Sequence, residues 1–419
     1  MFKKTLAVII VAVLALGLLA SCGPTTGTSA MTADILPRQS FESFKTADDF
    51  KIGVICLHDE NSTYDLNFIN SVNTVKKALG LKDEQVIIRT GVDEGPVCKT
   101  TADDLVSQGC KIVFADSFGH EAYMIEAAKA HPEVQFCHAT GTKAHTENLS
   151  NYHNAFASIY EGRYLAGIAA GMKLNEMIKD GKITAEQAVI GYVGAFPYAE
   201  VKSGLTSFFL GARSVCPSAT MKVRYTGSWY DQPKEQEAAN ALMNNDKCVL
   251  ISQHADSLGA PTACEVKGVP NISYNGSTYE AGPKSFIISS AIDWAPYFYY
   301  IIKQVTNGQA IATDWTGTIA TGSVVLTGIN TDVAAAGTKE ALEKAIDDFK
   351  AGKIHVFDTS KFTVNGAALT SYLADVDDLG DYVGETEVIK DGYFHESEYR
   401  SAPYFDLNID GITHYLDEN

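Results

Sequence analysis

Seven short stretches of this chain set carboxylates, amides or hydroxyls beside one another, and four of them add an aromatic ring: His58 to Tyr64, Asp116 to His120, Ala139 to Thr142, Gly194 to Tyr198, Gly227 to Asp231, Gln253 to Ser257 and Asn275 to Thr278. Rings such as Tyr64, Phe118, Phe196 and Trp229 can stack on a flat ligand, while the side chains of Asp256 and Asn275 can read its polar edge. That mixture suits a neutral heteroaromatic molecule. Any one ring could simply plug a core; recurrence through four loops argues for a shared site. Asp116, His120 and Asp256 could in principle act as acids or bases. However, the chain contains no Gly-x-Ser-x-Gly, Walker loop, dinucleotide fingerprint or His-Glu-x-x-His. Binding without turnover is therefore expected, with no cofactor. His131, Cys137, His138 and His145 resemble metal ligands in type only, since their spacing fits no zinc template.

The stretches recur at the ends of short apolar runs, which is what positions them. Lys51 to Leu57, Val86 to Arg89, Lys111 to Ala115 and Val134 to His138 read as buried strands. They alternate with helical spacing over Asn67 to Leu79, where Gly80 is placed to end the helix, and over Ala102 to Gln108 and Glu121 to Ala130. A second set follows the small-residue helix Ser158 to Met172, with strands at Ala188 to Val193, Met221 to Thr226, Cys248 to Ser252 and Pro270 to Tyr274. Gly162, Ala166, Gly167, Ala170 and Gly171 should let that helix approach a neighbour closely, and Glu161 and Arg163 make it no membrane span. Two sets of four strands predict an α/β protein of two doubly wound parallel-sheet lobes, with the loops after the strands facing one cleft. Ser285 to Ile292 and Tyr297 to Thr306 then read as a return crossing, and Thr338 to Ala351 as an amphipathic helix.

The N-terminus adds an address. Lys3 and Lys4 precede an apolar run from Leu6 to Ala20 that is short for a span of about 20 residues. Leu19, Ala20, Ser21 and Cys22 resemble the lipobox of bacterial lipoproteins, so residues 1–21 are expected to be a signal peptide and Cys22 the acylated residue. Residues 22–47 are expected to be a flexible tether. At a net charge of −18 the chain repels nucleic-acid phosphates and anionic lipid, which excludes a nucleic-acid polymer and a peripheral membrane surface as partners. Besides Cys22 there are Cys56, Cys98, Cys110, Cys137, Cys216, Cys248 and Cys264. An odd count fits either a weakly oxidising habitat or some pairs plus a free thiol.

Four motifs, in order, carry a resemblance: Tyr160 to Gly171, Ile190 to Pro197, Leu210 to Val215 and Gly227 to Asp231. They resemble the basic membrane protein (Bmp) family of bacterial substrate-binding lipoproteins over about residues 50 to 330, with Phe114 to Gly119 and Phe136 to Gly141 closer to an adenine-binding-like branch. The resemblance implies a type I periplasmic-binding-protein fold, delivery of a purine-like small molecule to ABC permease subunits, and a monomer lipid-anchored on the extracytoplasmic face of the cell membrane. It places Tyr64, Asn67, Phe118, Phe196, Trp229, Asp256 and Asn275 in or beside the ligand loops. Nucleoside-binding members hold ribose with an Asp near Asn275 and a Lys after the next strand. Here Gly276, Ser277 and Thr278, then Ile292, Asp293 and Trp294, stand in those places, which implies little ribose recognition. The expected layout is residues 48–155 plus about 280–325 for lobe 1, residues 156–279 plus about 326–360 for lobe 2, and residues 361–419 as an extension packed across the lobes. A sensor or surface antigen of the same fold is the alternative.

Overall fold

The computed structural model describes residues 30–416, so the signal segment and Cys22 lie outside the described residues. The chain first lays down β1 (Ile52–Ile55), α1 (Thr63–Leu79), β2 (Val86–Arg89), α2 (Pro96–Ser107), β3 (Ile112–Ala115), α3 (Glu121–Ala130), β4 (Gln135–Ala139), α4 (Ala144–Glu147) and β5 (Tyr152–Ala157). It crosses over in α5 (Ile159–Lys179) and repeats the rhythm: β6 (Val189–Gly194), α6 (Ala199–Val215), β7 (Thr220–Tyr225), α7 (Gln232–Asn244), β8 (Leu250–Gln253), α8 (Gly259–Lys267), β9 (Asn271–Tyr274) and β10 (Phe286–Ile292). It then returns through α9 (Ala295–Thr306) and β11 (Asp314–Gly317), and goes back through β12 (Val324–Leu326) and α10 (Thr338–Lys350).

One sheet runs β11-β5-β4-β3-β1-β2 and the other β12-β10-β9-β8-β6-β7, extended at its edge by Ile412–Tyr415 (β13). Every pair is parallel except β10 with β12. Parallel strands need helical crossovers on both faces, which explains runs such as Ile52, Val54 and Ile55 with no exposed side. The order of these elements makes the architecture the expected pair of doubly wound lobes.

Sequence signals explain the element ends that shape the cleft. Ser62 caps α1, its side chain accepting from Asp65 N, and Gly80 closes the helix in the left-handed region at φ 64. The small residues of α5 allow it to meet α6 at backbone distance: a Cβ on Gly167 would stand 2.0 Å from the Phe208 carbonyl oxygen, and one on Gly211 2.0 Å from that of Tyr164.

Three readings change. The strand at Phe286–Ile292, counted with lobe 1, pairs with β9 and β12 in the second sheet, so the return crossing falls at Asp293 and Trp294. β5 was not among the expected strands; its buried His153 and Asn154 break the apolar run, and Asn154 Oδ1 accepts from Ala144 N at 2.7 Å to tie down the loop after β4. The described part of the flexible tether, from residue 30, is docked. Leu36 bridges antiparallel to Leu326 on the edge strand β12, Met31 bridges to Asn330, and Thr32 N donates to Ile329 O at 2.9 Å. An edge strand offers unpaired backbone groups, and this segment covers them.

The C-terminal extension lies across both lobes. Ser401 N donates to Asp314 Oδ1 on β11 at 2.8 Å, the Tyr160 hydroxyl on α5 donates to the Glu396 carbonyl at 3.3 Å, and β13 runs alongside β7. Phe405 stacks on Phe357 at 4.4 Å in its core. All seven cysteines in the described residues are buried and free. Among the described residues, no helix is long and apolar enough to cross a membrane.

Candidate ligand-binding site

The loops that leave the carboxyl ends of both sheets converge on one cavity. Leu57, His58, Tyr64, Asp65, Ser117, Phe118 and Thr140 line it from the first lobe, and Glu200, Trp229, His254, Asp256 and Asn275 from the second. About 380 Å³ of space, part of it open to solvent, lies among these groups. Hydrogen bonds such as Thr63 N to Asp256 O, at 3.1 Å, join the two sides of the cleft.

Of the residues singled out from sequence, Tyr64, Phe118, Trp229, Asp256 and Asn275 line the cavity. Phe196 and Asn67 stand one layer back. Phe196 stacks on Tyr198 at 5.0 Å and meets the edge of Trp229 at 5.0 Å, while Phe118 reaches Tyr198 from the other lobe at 5.8 Å. Phe118 and Tyr198 are 40% and 45% exposed, so the rings form a rim whose outer members face solvent. Asn67 is buried; its Nδ2 donates to the Asn275 carbonyl across the cleft at 2.6 Å.

Asp65 and Glu200 lie outside the stretches singled out from sequence, whereas His254 and Thr140 lie within them. Asp65 and Glu200 sit in the first turns of α1 and α6, where acidic side chains favour a helix N-terminus, so the signal was the start of each helix after a strand loop. Thr140 has φ 66 and Asn275 φ 64. A β-branched residue in the left-handed region is a strained choice, held here by Thr140 N donating to Ala155 O at 3.1 Å.

The wall is acidic. Asp65, Asp256 and Glu200 line the cavity without a Lys or Arg among the lining residues. Burial, followed by the charges of Asp65 and Glu235, raises the pKa of Asp256 well above the usual carboxylate range. Burial and the neighbouring Asp65 do the same for Asp116, which lies fully buried beneath the cavity with Oδ1 accepting from Leu57 N at 3.1 Å. Burial also opposes ionisation of Asp65, but hydrogen bonds from His58 and Ser62 outweigh it and hold its pKa below the usual value. Burial lowers the pKa of His254, and it sits 3.5 Å from Glu200.

Groups that could have done other chemistry are engaged elsewhere. The side chain of His120 is buried, with Nε2 2.8 Å from the Val92 carbonyl. His138 contacts the Ser117 carbonyl at 2.7 Å, and burial pushes its pKa down to about 3. His131 pairs with Asp103 at 3.0 Å, away from His145, whose Nδ1 lies 3.7 Å from Asp314. Cys56, Asp65 and Asp116 bring ligand atoms within 4.8 Å of one another, and so do Asp375, Asp377 and Glu385 in the extension. In the first group the carboxylates already accept from Leu57, His58 and Ser62.

This geometry has relatives. A solved ABC-transporter solute-binding protein from Conexibacter woesei superposes with a TM-score of 0.58 at 19% identity, covering 73% of this chain and 98% of that one. The fold is thus the type I arrangement of periplasmic solute-binding proteins. A putative ABC-transporter glucose-binding protein of Haloferax volcanii is 36% identical over 215 residues, 51% of each chain. A purine-binding protein of Brucella abortus is 34% identical over 232 residues, 55% of this chain and 61% of that one. The chain thus spans between half and two thirds of the length of these curated relatives. Residues 59–356 match the model of the Bmp family, described as ABC transporter substrate-binding protein PnrA-like, and the chain belongs to that family of substrate-binding proteins.

Proposed function

We propose that this protein is the lipid-anchored, extracytoplasmic substrate-binding component of an ABC importer, and that it closes its two lobes on a purine base or nucleoside-like molecule. The observation that carries the ligand class is the cavity wall, which combines Phe118 and Trp229 with Asp65, Asp256, Glu200 and Asn275 and has no Lys or Arg. Aromatic faces stack on a flat ring, and carboxylates accept from the N–H groups along a purine edge. A phosphate would meet acidic side chains and no Lys or Arg there, which argues for a base or nucleoside over a nucleotide. The Brucella relative named purine-binding supports the same class.

The relative named glucose-binding supports a second reading, because a pyranose can also lie against Trp229. The lipid anchor rests on Cys22 and the residues before it. Binding without catalysis is supported by the match to a family of substrate-binding proteins; Asp116 and His120 are buried below the cavity, while Asp256 lines it. A sensor of the same fold would keep the cleft but lack a neighbouring permease. Small molecules released from the purified protein by denaturation and identified by mass test the ligand class directly. A purine is expected; a hexose in its place would overturn the assignment.

A further inference from the structure

The N-terminal segment delivers one cation to the hinge. Two residues past the Leu36 bridge to β12, the Arg38 Nη1 donates to Asp293 Oδ1 at 2.8 Å and Nη2 to Asn67 Oδ1 at 3.0 Å. Asp293 is the residue at which the chain leaves the second sheet for α9, and Asn67 lies on α1 of the first lobe. We propose that Arg38 is a positioning residue for cleft closure, fixing the Asn67 amide so that its N–H rather than its oxygen meets Asn275 of the opposite lobe. The proposal rests on reading the cleft as the ligand site.

The argument is one of donors and acceptors. Asn67 Nδ2 lies 2.6 Å from the Asn275 carbonyl oxygen, a contact that only the amide N–H makes favourable. With the amide reversed, two oxygens would face each other in a site where both residues are buried. The Arg38 guanidinium has no acceptor to offer, so it can satisfy only the oxygen end, and its planar fork spans Asn67 and Asp293 together. Asp293 is buried and also accepts from Ser71 Oγ and Ala295 N, both at 3.1 Å. Beyond Asn275 the chain of contacts reaches the cavity: Asn275 Nδ2 donates to Asp256 Oδ1 at 3.1 Å, and Asp256 N to the Trp229 carbonyl at 3.0 Å. A residue outside the cavity thereby sets the groups that face it.

Amide hydrogen exchange of the ligand-free protein tests this, read at Thr63, whose N–H donates to Asp256 O across the cleft. Arg38→Lys keeps a charge beside Asp293 but loses the fork, and Arg38→Ala loses both. Exchange at Thr63 should quicken about tenfold in each variant while β3 keeps its protection. Adding Asp293→Asn to Arg38→Ala should restore melting temperature but leave Thr63 fast, because the Asn67 amide stays unfixed. Unchanged Thr63 exchange in the folded Arg38→Lys protein would overturn the proposal. So would recovery of Thr63 protection in the double variant, which would reduce Arg38 to a neutraliser of Asp293. Adenine titrated into wild type and Arg38→Lys should bind about tenfold more weakly to the variant. The exchange experiment contains no ligand, so a failure of adenine to bind wild type would count against the proposed ligand alone.

Discussion

Thr63 donates both its backbone N–H and its hydroxyl to one acceptor, the carbonyl oxygen of Asp256, each at 3.1 Å. Thr63 opens α1 in the first lobe and Asp256 follows β8 in the second, so one peptide oxygen is held by the opposite side of the cleft. The Asp256 carboxyl on the same residue lines the cavity. Asp256 thus joins the two lobes through its backbone and presents its carboxyl to the cavity.

The first prediction concerns Trp229. An aromatic ring stacked on a base contributes roughly 1–3 kcal/mol by alanine substitution, so Trp229→Ala should weaken ligand binding about five- to 150-fold. Trp229→Phe should lose less, because a ring face remains. Calorimetric dissociation constants, read beside melting temperatures without ligand, separate this from a packing role. An unchanged constant in a folded Trp229→Ala protein would remove the residue from the site.

A second prediction follows from burial of Glu161 at the start of α5. Its Oε2 accepts from Ile319 N, in the crossing between β11 and β12, at 2.8 Å, and burial raises its pKa to about 7. A carboxyl with a raised folded pKa keeps its proton after the unfolded chain has lost it. Stability is thus highest at low pH and falls as pH rises through the interval from the unfolded value to about 7. The shift corresponds to about 3 kcal/mol at most, lost between roughly pH 4.5 and 7. Melting temperature should fall from pH 5 to pH 8 more steeply in wild type than in Glu161→Gln; equal slopes for both proteins would refute this.

The contact between α5 and α6 yields a third. A methyl on Gly211 would meet the Tyr164 carbonyl oxygen, which is backbone and cannot move alone. Gly211→Ala should therefore cost about 1–3 kcal/mol or more, as overpacking does. Urea unfolding should show a lower midpoint with the same slope, and the folded fraction should bind ligand as wild type does.

Anchoring gives a fourth. If Cys22 is acylated, Cys22→Ser should abolish incorporation of labelled fatty acid and leave an unprocessed precursor. Equal label in both proteins would count against the lipoprotein reading.

Much of this architecture was legible because buried parallel strands are written as continuous apolar runs, and five of the seven residues expected in the ligand loops line the cavity. What stayed hidden was pairing. The run Phe286 to Ile292 is buried throughout, Ser289 and Ser290 included, so its local pattern does not say which sheet takes it. Leu36 and Ile412 sit in short stretches that pair with a sheet edge, a long-range contact that no local period encodes. Asn67 was expected near the ligand, but its side chain serves the opposite lobe. An amide reads the same in sequence whichever group it meets.

Calorimetric titration of the purified protein with adenine, guanine, adenosine, inosine and glucose tests the central claim most directly. The acidic, ring-lined cavity predicts that at least one purine base or nucleoside saturates at one per chain. Heat from glucose with none from any purine or nucleoside would contradict it.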